Sequence, residues 1–277
     1  MSNRTILILL DGCGYEVATE NLGYLEHLVA QGICGKYRIQ GELPSLSRPM
    51  YETIMTGLPV YQHGITNNLI VRTSEQISLF DLCREHNLTT AASAYFWMSE
   101  LYTRDPFDPL TDRIQLCADA KIQHGIYYYE DQYPDSHVYS DADYLRRQYQ
   151  PDFLLVHPMN IDDTGHKYGS NSSEYHKMTA YENIILSTVV PVWLAAGYQI
   201  AVTADHGMNE HHLHGGNTDL QRLVPLYIIS DRVKRGDHTK HSYSTLFLAP
   251  ILCRLLAIAP SSGMRLLSEM EEDIFEA

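Results

Sequence analysis

The chain has 277 residues, of which 44% are hydrophobic, and a formal net charge of −14. That is long and apolar enough for one sizeable α/β domain and argues against disorder. The acidic balance disfavours a nucleic-acid polymer or an anionic membrane as the main partner, because both select for excess Lys and Arg.

Apolar runs alternate with amphipathic stretches along the chain. The pattern predicts strands over 5–10, 34–39, 89–94, 152–156, 199–203 and 225–229. It predicts helices over 22–31, 49–56, 74–85, 142–148, 172–196 and 244–258. Strands spaced by helices imply βαβ units, hence a mostly parallel central sheet with helices on both faces. We read residues 1–277 as one domain, with 99–139 as an elaboration at a pocket mouth. That segment is rich in turn residues and aromatics, including Tyr127, Tyr128 and Tyr129, whose rings could stack on a substrate or, in a plain surface connection, pack on the main core.

The five cysteines are scattered, with no CxxC pair, and read as reduced thiols. The first apolar run stops at Asp11, too short for the core of a secretory leader. No run looks long enough to span a membrane. The expectation is a cytoplasmic protein without a membrane partner.

Chemistry-bearing residues follow several predicted strands. Asp11 follows the run ending at Leu10, and Asp162 and His166 follow the run ending at His157. Asp205 and His206 follow Thr203-Ala204, and His214 sits in the Gly-rich stretch 211–217. In open α/β sheets ligands bind at the carboxyl ends of strands, so carboxylates and imidazoles there point to a metal centre. Taken singly, each has a plain alternative: Asp11 in Asp-Gly-Cys-Gly would pass as a turn former, and His211 and His212 as bystanders or supports. Ser47, just ahead of Pro49, suits either an N-cap or a nucleophile at the positive end of a helix. A metal beside it favours the nucleophile.

Together these motifs resemble the alkaline phosphatase superfamily, and within it the type I phosphodiesterase/nucleotide pyrophosphatase family. The resembling segments are Leu9-Leu10-Asp11-Gly12, Ser47-Arg48-Pro49 through Pro59, His63-Gly64-Ile65, Asp162 through Gly169, Thr203 through Met208, and His214-Gly215. They occur in the family's order. The resemblance implies an alkaline-phosphatase-like three-layer α/β sandwich. It also implies two divalent metals, zinc before manganese or iron, and a small phosphorylated substrate. One metal would be held by Asp162, His166 and His214, and the other by Asp11, Asp205 and His206, with Ser47 as the nucleophile reaching both. Asp162 is preferred to Asp163 because the family places the ligating carboxylate four residues before the histidine.

One departure concerns charge stabilisation at phosphorus. The resemblance leads us to expect Asn three residues after the nucleophile, where this chain has Met50, which donates no hydrogen bond. Arg48, Asn67, Asn68 or a backbone N–H could replace it, and we take Arg48 and Asn68 as the substrate-binding candidates. The expected function is cleavage of a phosphodiester or phosphoanhydride bond. The alternatives with the same site are a phosphonate hydrolase and a phosphomonoesterase. A sulfatase is disfavoured because its signature needs Arg where Tyr51 stands, and a phosphomutase because its serine motif is absent. An idle metal-binding module is disfavoured because nucleophile and ligand candidates are all present.

Overall fold

The computed structural model describes residues 3–276. From the N-terminus, strand β1 (Thr5–Leu9) leads to α1 (Tyr15–Asn21), α2 (Gly23–Ala30) and β2 (Gly35–Gln40). Then come α3 (Ser47–Thr56), α4 (Val60–His63), α5 (Leu79–Glu85), β3 (Thr90–Tyr95), α6 (Trp97–Tyr102), β4 (Ile114–Leu116) and β5 (His124–Tyr128). The second half runs through α7 (Asp135–Tyr149), β6 (Phe153–Val156), α8 (Asn160–Tyr168), α9 (Ser173–Ala195) and β7 (Gln199–Thr203). It ends with α10 (Asp219–Arg222), β8 (Leu223–Ile229), β9 (Gly236–Ser244) and α11 (Leu248–Leu256).

The strands form one sheet in the order β4-β5-β3-β6-β1-β7-β8-β2-β9. Strand β1 pairs in parallel with β6 on one side and β7 on the other, and β3 extends the parallel run through β6 and β5. The antiparallel pairs are β7–β8, β8–β2 and β5–β4. Every residue of β1, β3, β6 and β7 is buried. Strands covered by helices on both faces read as continuous apolar runs rather than alternating ones, which is why these four were visible in the sequence. Helices α1, α2, α7, α8 and α9 pack together in one layer; α3, α5, α6 and α11 form the other. The predicted mostly parallel sheet with helices on both faces is the observed architecture.

Differences from the expected elements have local causes. Helix α5 begins at Leu79 rather than 74, because Ser78 and Asp81 form a reciprocal capping box that fixes its start. Helix α7 begins at Asp135, seven residues before the predicted start at 142. Strand β9 is a polar edge strand, Gly-Asp-His-Thr-Lys-His-Ser-Tyr-Ser, with no apolar run to mark it. Within 99–139, β4 and β5 continue the sheet at its edge. Tyr127 and Tyr128 are 0% and 3% exposed, so their rings belong to the core and cannot stack on a substrate, whereas Tyr129 is 43% exposed.

Helix α9 also corrects the reading that no run reaches membrane-spanning length. It has 23 residues, and an 18-residue window within it has mean hydropathy 1.2, long and apolar enough to cross a membrane by length and composition. In the structure it packs against α1, α2, α7, α8 and β7, and Tyr175, Ile185, Leu186, Val190 and Trp193 bury its inner face.

Candidate metal centre

The three central strands β6, β1 and β7 run parallel, so their carboxyl ends lie side by side at one edge of the sheet. Asp11 leaves β1, His157 leaves β6 with α8 just beyond it, and Asp205 and His206 leave β7. Asp162 and His166 stand four apart on α8, which puts both on one face. His214 arrives on the loop after β7, and its ring stacks on that of His206 at 3.7 Å between centroids.

The clustering is tight. His206 Nε2 lies 3.2 Å from Asp205 Oδ2, 3.5 Å from Asp11 Oδ1 and 3.0 Å from Ser47 Oγ. His166 Nε2 lies 3.4 Å from Asp162 Oδ2 and 3.1 Å from His214 Nε2, which is 3.8 Å from Asp162 Oδ1. Two sets of three ligand atoms fall within 4.8 Å of one another: Asp11, Asp205 and His206, and Asp162, His206 and His214. His206 joins both sets, and His166 borders the second. All seven residues expected at the centre therefore converge. Asp163, the rejected neighbour of Asp162, is instead paired with Lys167 at 2.5 Å.

The ring nitrogens are oriented consistently. Nδ1 of His206 faces the carbonyl of Gly207 at 3.1 Å, Nδ1 of His214 that of Ser45 at 3.1 Å, and Nδ1 of His166 that of His212 at 2.9 Å. A carbonyl accepts only, so each Nδ1 carries a proton, and in His206 and His214, which burial keeps neutral, Nε2 presents a lone pair to the cluster. Lone pairs aimed at carboxylate oxygens repel unless a cation lies between them.

Three carboxylate oxygens repeat the message. Asp11 Oδ1, Asp162 Oδ1 and Asp205 Oδ2 are buried with no hydrogen-bond partner. The other oxygen of Asp205 is satisfied by the N–H groups of Gly12, at 3.2 Å, and His206, at 2.9 Å, so only Oδ2 is bare. Burial, then repulsion from Asp11 and the neighbouring carboxylates, pushes Asp162 and Asp205 well above the usual carboxylate range. Burial and neighbouring imidazoles push His206 well below the usual range and His214 below it. Orphaned buried oxygens with neutral imidazole lone pairs are a donor set that fits divalent cations.

Asp11 is held differently. Burial alone would raise its pKa, but hydrogen bonds from His157 and Tyr51 and the His206 imidazole outweigh burial and hold it low. Tyr51 donates to Asp11 Oδ2, and His157 Nε2 lies 3.1 Å from the same oxygen. The N–H of Tyr95 donates to His157 Nδ1, which leaves Nε2 as the donor to Asp11. These supports were missed from sequence. In the sequence His157 only ends the apolar run 152–157, and Tyr51 only falls within the helix expected over 49–56.

Ser47 is not a cap: the N-cap of α3 is Leu46, and Ser47 is the first helical residue. Its hydroxyl faces His206 rather than a backbone N–H. The N–H of Arg48 is taken by Asn68 Oδ1 at 3.0 Å, which holds the Asn68 amide against the first turn of α3. Arg48, expected as a substrate-binding group, is 1% exposed. Its Nη2 pairs with Glu100 at 2.7 Å and its guanidinium lies 4.5 Å over Trp97, so in this arrangement it cannot reach a substrate. Met50 is fully buried.

Residues 5–236 match the model for type I phosphodiesterase / nucleotide pyrophosphatase. The chain belongs to that family. Among curated relatives, the GPI ethanolamine phosphate transferase 2 of Kluyveromyces lactis is 20% identical over 240 residues, covering 84% of the chain. The chain spans about 29% of that relative's length. Among solved structures, murine ectonucleotide pyrophosphatase / phosphodiesterase 5 superposes with a TM-score of 0.76 at 12% identity, covering 99% of this chain and 100% of that one. The murine protein is also known in an inactive form in complex with AMP. BT1596, a 2-O GAG sulfatase, superposes with a TM-score of 0.67 at 16% identity, covering 95% of this chain and 72% of that one. Both likenesses show the alkaline-phosphatase-like fold. The family is one of phosphoric ester hydrolases that act on small phosphorylated substrates.

Proposed function

We propose that the protein cleaves a phosphodiester or phosphoanhydride bond by attack of Ser47 on phosphorus at a two-metal site. The observation that supports this most is the Ser47 hydroxyl placed 3.0 Å from His206 Nε2, beside three buried carboxylates whose free oxygens have no other partner. One set of ligands would be Asp162, His166 and His214, the other Asp11, Asp205 and His206, with zinc the preferred ion. Two divalent cations held there would lower the pKa of the Ser47 hydroxyl and neutralise charge on the phosphoryl oxygens.

The chain's own groups do the rest. Ser47 Oγ forms a bond to phosphorus as the bond to the leaving oxygen breaks. Water then cleaves the Ser47 phosphoester, releasing the phosphoryl product and restoring the hydroxyl. The amide of Asn68, anchored through Oδ1, presents its Nδ2 donors to a non-bridging oxygen, the task for which Met50 is unsuited. His157 and Tyr51 keep Asp11 ionised and oriented.

The sulfatase reading is weakened by Tyr51, which stands where that signature needs Arg and which donates to Asp11. Likeness to a GPI ethanolamine phosphate transferase supports a variant of the same chemistry, in which an alcohol replaces water in the second step.

The test is turnover of a panel with added zinc or manganese: bis-p-nitrophenyl phosphate, a nucleotide p-nitrophenyl ester, p-nitrophenyl phosphate, p-nitrophenyl sulfate and phosphonoacetate. Preference for the diesters, abolished in Ser47→Ala, supports the proposal. Preference for the monoester or phosphonoacetate would move the substrate class to the phosphomonoesterase or phosphonate hydrolase alternative. Faster release of p-nitrophenol with an added alcohol would identify a transferase. Turnover retained by Ser47→Ala would refute the nucleophile.

A further inference from the structure

Helix α8 carries Asp162 and His166, and its start is held by a device outside the centre itself. Asp135, the first residue of α7 and 1% exposed, accepts from the N–H of Met159 at 3.0 Å and from that of Asn160 at 3.2 Å. Asn160 returns the contact, its Oδ1 accepting from the N–H of Asp135 at 3.1 Å. Two helix starts thus cap each other, each satisfying N–H groups that a helix leaves unpaired. The cap on α8 sits two residues ahead of Asp162.

Glu182 of α9, 0% exposed, stands in side-chain hydrogen-bond contact with Asp135. Tyr139 of α7 donates to Glu182 Oε1, while Oε2 is buried without a partner. Two buried carboxylates side by side cannot both be ionised at modest cost. The backbone N–H groups and the positive end of α8 favour charge on Asp135. Nothing comparable favours it on Glu182.

We propose that Glu182 is a positioning residue that holds a proton on Oε2 and donates it to Asp135, keeping Asp135 ionised as the cap that fixes the first turn of α8. The positioning role rests on the reading of Asp162 as a metal ligand. The direction of the ionisation agrees. Burial, then the charge of Asp135, pushes Glu182 well above the usual range. Burial pushes Asp135 up as well, but the N–H groups of Met159 and Asn160 and the contact with Glu182 oppose burial and hold it to about 7.

The test uses the full chain. In the zinc-loaded wild type near neutral pH, infrared difference spectroscopy should show a protonated-carboxyl band that Glu182→Gln removes. Glutamine keeps both contacts, accepting from Tyr139 and donating to Asp135. Zinc affinity, measured by competition with a chromophoric chelator, should stay within about twofold in Glu182→Gln and fall by about tenfold or more in Glu182→Leu, the range seen when supports of metal ligands are lost. A band that persists in Glu182→Gln, or is absent from the wild type, would overturn the proposal even if Glu182→Leu fails to fold. Equal zinc affinity in all three proteins would also overturn it. A wild type that binds no zinc would refute the metal reading, and the positioning role with it, whatever the band shows.

Discussion

Gly12→Ala is the perturbation whose consequence follows most directly from the geometry. Gly12 has φ +72°, and a Cβ built there would lie 2.7 Å from the Cα of Asp162, 2.8 Å from its Cβ and 2.9 Å from its Oδ1. Two costs combine. A left-handed backbone costs a residue with a Cβ about 1–2 kcal/mol, and forcing a methyl into filled space costs about 1–3 kcal/mol. The loss is therefore roughly 2–5 kcal/mol, a large share of the roughly 5–15 kcal/mol that stabilises a domain. The nearest atoms belong to a ligand candidate on α8, so relief of the clash displaces the Asp162 carboxylate. Urea unfolding of metal-free protein should show the stability loss, and chelator competition a weaker zinc affinity. Gly23→Ala is the control: it begins α2 with nothing within 4 Å of its Cβ, and it should leave stability unchanged or raise it by up to about 1 kcal/mol. If Gly12→Ala matched the wild type in both stability and zinc affinity, the packing of Asp162 against the β1 turn would be wrong.

Other expectations follow from the same site. His157→Ala and Tyr51→Phe each remove a donor to Asp11 and should weaken zinc binding by about 10–100-fold; unchanged affinity in both would deny them a supporting role. Zinc uptake near neutral pH should release protons, because Asp162 and Asp205 sit well above the usual carboxylate range without a cation and must ionise to bind one. Zinc affinity should therefore rise with pH, and calorimetry in buffers of different ionisation enthalpy should find net release; zero release would contradict the shifts. Asp162→Asn should lose zinc affinity and turnover, and Asp163→Asn, which breaks only the Lys167 pair, should do far less; the reverse ranking would move the ligand by one position.

The clustering of the candidate ligands was legible because buried parallel strands leave a clear trace. The runs before Asp11, Asp162 and Asp205 are continuous apolar segments, and in a parallel sheet their ends must lie at the same edge. Elements lacking such a trace were not legible. Strand β9 is polar at most positions. Helix α8, Asn-Ile-Asp-Asp-Thr-Gly-His-Lys-Tyr, buries Asp162, Thr164 and Gly165 beside a single large apolar residue, Ile161, so no helical period shows. The mutual cap of Asp135 and Asn160 joins residues 25 apart in sequence, beyond any local pattern. Arg48 shows the limit for single side chains. Adjacency to Ser47 suggested substrate, but α3 turns the guanidinium toward Glu100 and Trp97. Asn68, named only as one of several possible donors, is the one seated beside the first turn of α3.

The central claim is a two-cation centre built around Ser47. The most direct test is anomalous diffraction at the zinc edge from crystals grown with zinc. The account predicts two peaks, one among Asp162, His166 and His214 and one among Asp11, Asp205 and His206, with Ser47 Oγ between them. A single peak, or peaks away from these side chains, would contradict it.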